Sequence, residues 1–173
     1  MSNGLTSLNS NRQRLKDDFE FYARNCLSIR TKFKGVTPLV LNDAQRYIHE
    51  RIEQQIKETG KARAIILKGR QQGASTYVEG RYIWKTTHTK GVRAFILTHD
   101  GESTNALFEM TERYYENLPV FIKPSLGASN AKELHFDKLD SGYKIGTAGN
   151  KAVGRGQTIQ FFHGSEVAFW LNA

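Results

Sequence analysis

The stretch ARAIILKGRQQGAST (62–76) constrains the fold more than any other part of the chain. An apolar run of strand length ends at Lys68-Gly69, and a helix-compatible stretch, QGASTYVEGRYIWKTTHTK, follows it. A second apolar run, VRAFILT (92–98), leads into ESTNALFEMTERYYENL (102–118), a helical stretch stopped by Pro119. Continuous apolar runs without alternation mark strands covered on both faces, and strand–helix–strand–helix order with short connections lays such strands parallel. The pattern predicts an α/β fold with a mainly parallel central sheet flanked by helices.

The rest of the chain is read around that nucleus. Residues 1–14 are polar and expected to fray; Leu15, Phe19, Phe21, Tyr22 and Leu27 predict a helix over 15–29, followed by a loop containing Gly35 and Pro38. Asn42 or Asp43 can cap a helix running to about residue 58, with Ile48, Ile52 and Ile56 four apart and Gly60 closing it. ELHFDKLDSGYKIGTA (133–148) alternates on both sides of Asp140-Ser141-Gly142, which predicts an added β-hairpin. GRGQ (154–157) reads as a loop, and TIQFFHG (158–164) as a further buried strand that runs into SEVAFW. The expected division is an N-terminal segment and helix over 1–38 and one α/β domain over 39–173.

Several function classes drop out. No apolar run approaches the ~18 residues of a membrane span, and the polar start lacks the apolar core of a secretory signal. The single cysteine, Cys26, excludes an intramolecular disulfide and a Cys-clustered zinc site and reads as a buried thiol. These features place the chain in a cytoplasm. Lys and Arg outnumber Asp and Glu by 25 to 17, a net charge of +8 that favours polyanionic partners such as nucleic acid or nucleotides. The basic residues are scattered, so the same balance also suits a merely solvated surface.

A phosphate cradle needs a strand, a glycine turn exposing backbone N–H groups, and a helix N-terminus beyond it. Residues 67–76 have all three: Gly69 and Gly73 permit the turn, and Ser75 or Thr76 can offer a hydroxyl to magnesium. Ala74, however, stands where the usual GxxxxGK[ST] pattern has its lysine. A plain capped turn has the same layout. Gln71, Gln72 and Ala74 would contribute backbone N–H groups, and the planar fork of Arg70 suits phosphate oxygens. At the end of the strand 158–164, Ser165-Glu166 occupies the place of an acidic pair. There Glu166 can polarise water, and Ser165 can hold a metal-bound water without adding charge. His163, Trp84 and Trp170 read as packing residues, and Arg155 as a loop charge or a phosphate contact.

Four segments in order resemble the amino-terminal ATPase domain of the phage terminase large subunit: LNDAQRYI (41–48), KGRQQGAST (68–76), ILTHDGESTNALFEMTERYYENLP (96–119) and GRGQTIQFFHGSEVAFW (154–170). The resemblance runs from about residue 39 to the end. It implies a P-loop NTPase-like fold and ATP hydrolysis with magnesium. Gln45 would read adenine, and Lys68, at the start of the loop, would supply the charge that Ala74 does not. Arg70 would sense or stabilise the γ-phosphate. Gly69, Arg70, Gln71, Gln72, Gly73, Ala74, Ser75 and Thr76 would wrap the phosphates. Ser75 would ligate magnesium, Ser165 would reach it through water, and Glu166 would orient the attacking water. The implied partners are double-stranded DNA, a small terminase subunit and the portal of a procapsid, in the cytoplasm of a bacterial host. The family's nuclease domain and the strand after the acidic pair would be missing, so an open sheet edge and self-association are expected. Two other readings stay open: a degenerate nucleotide-binding module without turnover, and a helicase-like or recombinase-like ATPase.

Overall fold

A computed structural model describes residues 11–127, 130, 132–149 and 158–170. The fold is α/β, built on a mixed four-stranded sheet. At its centre lies β3 (Arg93–Thr98), four of whose six residues are buried. It pairs in parallel with β5 (Ser141–Thr147) on one side and with β6 (Phe161–Gly164) on the other. On the far side of β5, β4 (Glu133–Phe136) runs antiparallel to it. The expected hairpin is therefore present, but its second strand is an integral member of the sheet. Its turn also comes earlier than the sequence suggests: a 3-10 turn at Asp137–Leu139 and Asp140 at φ +46° reverse the chain, and Ser141 and Gly142 already pair with neighbours.

The helices follow local signals closely. Asn42 caps α2 (Asp43–Thr59) in a capping box with Gln45, each side chain bonding the other's backbone N–H. Gly60, at φ +75°, closes that helix, a left-handed position that glycine takes at little steric cost. α3 (Ala74–His88) follows the glycine loop, and Asp100 caps α4 (Gly101–Glu116) by accepting from Ser103 N–H at 2.7 Å. The end of β3 is fastened to α4 and β5 by hydroxyls: Thr98 to Thr104 at 2.6 Å and Thr104 to Thr147 at 2.8 Å.

The N-terminal region departs from the predicted single helix. Asp18 interrupts it, capping α1 (Phe19–Cys26) by accepting from Phe21 N–H, and Leu27 leaves it in extended conformation. The chain then forms a small hairpin, β1 (Ser28–Thr31) against β2 (Gly35–Pro38), where the sequence suggests a helix end and a loop. Asp18 and Leu27 mark the ends because the buried residues of α1, Phe19, Tyr22, Ala23 and Cys26, all face α3 and the core. Phe19 meets Tyr77 edge-on at 5.4 Å, and Trp84 Nε1 donates to the Leu15 carbonyl at 2.8 Å. Gly80 makes this approach feasible: a Cβ there would lie 2.9 Å from Leu27 Cδ1. Cys26 is a buried thiol, as expected, and burial pushes its pKa up to about 11.

The principal correction concerns residues 62–68. They form no strand, and Ile65 and Leu67 are both fully exposed, at 102%. Nor is β6 the buried strand that TIQFFHG suggests: it is short and half-exposed, with Phe162 54% exposed. Both departures have one cause. Among the described residues β6 ends the sheet and 62–68 does not pair with its open edge, so both segments leave apolar side chains uncovered.

Candidate functional site

The irregular segment 64–70 and the end of β6 face each other across a groove of about 1000 Å³. Lys68, Gly69, Arg70 and Ser75 line it on the loop side, and Ser165 and Glu166 on the strand side. His99 and His163 also reach it. The fold thus brings two segments singled out in the sequence to one cavity.

On the loop side the backbone is strongly turned, with Gln71 at φ +60° and Gly73 at φ +75°. Gly73 is the N-cap of α3 and Ala74 is buried, so the loop enters the helix without a side-chain cap. The loop is held from two directions. Gln45, itself buried, donates Nε2 to the Gly73 carbonyl at 2.8 Å, while its Oε1 accepts from Asn42 N–H at 3.0 Å. Asn42 Nδ2 donates to the Gln72 carbonyl at 3.4 Å. From the small hairpin, Lys32 Nζ donates to Gln71 Oε1 at 3.2 Å. Gln45, read as an adenine contact, is thus engaged at both ends of its amide within the chain and clamps the loop to α2. Lys68 and Arg70 are exposed, and among the described residues neither forms an ion pair. Ser75 and Thr76 are half-buried in the first turn of α3, whose Thr76 carbonyl accepts from Tyr114 Oη of α4 at 3.0 Å.

On the strand side, Ser165 is buried, and its N–H donates to the Leu97 carbonyl at 2.8 Å. Its carbonyl accepts from Trp170 Nε1 at 3.1 Å. Gly164 leaves room for that indole, since a Cβ there would lie 3.2 Å from the ring. Glu166 has φ +54°, uncommon for a residue with a side chain, and caps the 3-10 turn Val167–Phe169. Its side chain is 46% exposed, and Oε2 lies 3.5 Å from Nδ1 of His99.

Two acid–imidazole contacts here had no signal in the sequence. His99 is one. The other joins Glu79, one helical turn beyond Ser75, to His163: Glu79 is fully buried, and its Oε1 lies 2.6 Å from His163 Nδ1. The second oxygen of Glu79 is buried without a hydrogen-bond partner. Burial raises the Glu79 pKa above the ordinary carboxylate value, partly offset by the bond to His163 and its charge. His163 therefore does more than pack at the strand end: it ties β6 to α3. Trp84 is buried, as expected of a packing residue. Arg155 and the GRGQ segment lie outside the described residues.

The donor set bears on magnesium. Among the described residues no three His, Cys, Asp or Glu side chains are grouped to hold a metal ion. The hydroxyls of Ser75 and Ser165 beside one carboxylate, Glu166, suit a cation held mainly by nucleotide oxygens and water; they would not form an all-protein cage. No described helix is long and apolar enough to cross a membrane. No protein-family model matches the chain, and no curated protein matches it.

Proposed function

We propose that the chain is the P-loop NTPase-like, ATP-hydrolysing motor domain of a viral DNA-packaging terminase large subunit. The observation that carries the reading is the single groove in which the glycine loop, with Lys68, Arg70 and Ser75, faces Ser165 and Glu166. Loop N–H groups would donate to phosphate oxygens, with Lys68 and Arg70 balancing their charge. The Ser75 hydroxyl would hold magnesium, with Ser165 reaching it through water; bound there, the ion neutralises charge on the phosphates. Glu166 would accept a hydrogen bond from water and orient it for in-line attack on the γ-phosphate. Double-stranded DNA, a small terminase subunit and a procapsid portal, in a bacterial host's cytoplasm, are the partners this reading implies.

One observation favours a second reading, nucleotide binding without turnover. The segment leading into the loop is exposed and unpaired among the described residues, so the cradle is less firmly braced than a sheet strand would make it. A nucleotide titration run beside a phosphate-release assay tests both readings. Loss of one charge-assisted phosphate contact is worth about 1.5–3 kcal/mol. Lys68→Ala should therefore weaken ATP binding on the order of tenfold or more, whereas the exposed Lys61→Ala should leave it unchanged. Equal affinities for the two variants would reject the loop assignment. Binding without phosphate release would select the second reading, and stimulation by single-stranded DNA alone would point to a helicase-like ATPase.

A further inference from the structure

We propose that His99 is a positioning residue for Glu166, anchored by Asp100, so that the start of α4 sets where the Glu166 carboxylate points. The inference rests on the reading of Glu166 as the group that orients water. His99 directly follows the central strand β3, and its side chain is 22% exposed. Its Nε2 lies 2.7 Å from Asp100 Oδ2. Asp100 is itself fixed, because its Oδ1 accepts from Ser103 N–H as the cap of α4. The Phe169 ring, 5.7 Å away, lies beside the imidazole. One ring nitrogen therefore lies at ion-pair distance from a carboxylate that the helix holds in place.

The other nitrogen faces Glu166. Nδ1 is buried, and at 3.5 Å from Glu166 Oε2 it makes no aligned hydrogen bond. A buried polar nitrogen without a partner carries a cost that a hydrogen bond would remove. The neighbouring carboxylate is half-exposed, on a residue of left-handed backbone two positions beyond the end of β6. A small rotation of Glu166 would let Nδ1–H donate to its carboxylate while Nε2 faces Asp100, completing the sequence Asp100–His99–Glu166 with a proton on each ring nitrogen. Thr98, one residue earlier, is bonded to Thr104 of α4, so a shift of that helix end moves the ring and, through it, Glu166.

The test is imidazole nitrogen NMR on the whole chain, with the His99 ring assigned by the signals lost in His99→Asn. In Glu166→Gln the His99 Nδ1 signal should shift while that of His135, bonded to Asp137, stays in place. An unmoved His99 signal would overturn the proposal whether or not the chain hydrolyses ATP. Where phosphate release is measurable, His99→Ala should lower kcat about tenfold, the worth of one charge-assisted contact, with KM for ATP nearly unchanged. His99→Asn keeps a donor at the place of Nδ1 and should restore most of that loss. Equal kcat values in the alanine and asparagine variants, or a change confined to KM, would count against positioning. If the wild type releases no phosphate, the ATPase reading fails and the ring signal alone decides. Glu166→Gln alters a half-exposed side chain, so the spectroscopic arm needs only the His99→Asn assignment and does not depend on the folding of His99→Ala.

Discussion

Replacing Gly73 with alanine tests how the phosphate-loop region is held. Two costs add at this position. A non-glycine residue in the left-handed region costs about 1–2 kcal/mol, and Gly73 has φ +75°. A Cβ at Gly73 would also lie 2.6 Å from Gln45 Nε2 and 3.3 Å from its Cδ. Gln45 is buried and bonded at both ends, so it cannot move away without breaking its bond to the Gly73 carbonyl or leaving the capping box. A buried amide left unsatisfied costs about 1–3 kcal/mol. The sum is about 2–5 kcal/mol. Gly60 supplies the control: its φ is also +75°, but a Cβ there would meet nothing within 4 Å. Gly60→Ala should therefore lose only the conformational part, about 1–2 kcal/mol. For a domain of this size each kcal/mol lowers Tm by about 2–4 °C. Urea unfolding followed by circular dichroism should show a lower midpoint for both variants at an unchanged slope, with the larger drop for Gly73→Ala. Equal losses in the two variants would refute the claim that Gln45 closes over the loop.

Three further outcomes are expected. Leu67→Ala should change stability by no more than about 0.5 kcal/mol, because Leu67 is fully exposed, whereas Ile96→Ala in the buried β3 should cost about 2–5 kcal/mol in the same urea assay. Ser165→Asp adds a carboxylate beside the groove and should lower the magnesium concentration needed for phosphate release on the order of tenfold; an unchanged magnesium requirement would place Ser165 away from the ion. His49 and His88 have pKa values lowered from 6.5, chiefly by burial, with Arg81 adding to the effect at His49 and Lys16 and Lys85 at His88. Because the folded chain binds protons less readily there than the unfolded one, their contribution is complete above pH 6.5 and is lost as pH falls through the folded values. The urea midpoint should decline from roughly pH 7 to pH 5, and a His49→Gln/His88→Gln variant should flatten that decline.

Much of the fold was legible because its signals are local. α2 announces itself through Asn42, isoleucines four apart and Gly60, α4 through a helix-compatible stretch stopped by Pro119, and β3 through a run of residues apolar enough to sit between two neighbours. The loop before α3 was legible through its glycines, and Glu166 through its place after an apolar run. The groove joining them was not, since no local pattern states which segments will face each other.

The failures share that origin. ARAIILK has the composition of a buried strand, yet burial requires pairing, and among the described residues it does not pair with β6, which ends the sheet. The break at Asp18 and the hairpin after Leu27 were hidden in a stretch that reads as one amphipathic helix; packing of Phe19 and Tyr22 against α3 divided it. Glu79 looks like any helix carboxylate, and His99 like a strand-end polar residue. Only the fold buries Glu79 against His163 and sets His99 between Asp100 and Glu166. The sequence by itself determined where helices start, where the backbone can turn left-handed and which residues are apolar enough to bury, because those depend on near neighbours along the chain. Tertiary structure decided which apolar runs found a partner and which charges met, because both depend on contacts between segments far apart in sequence.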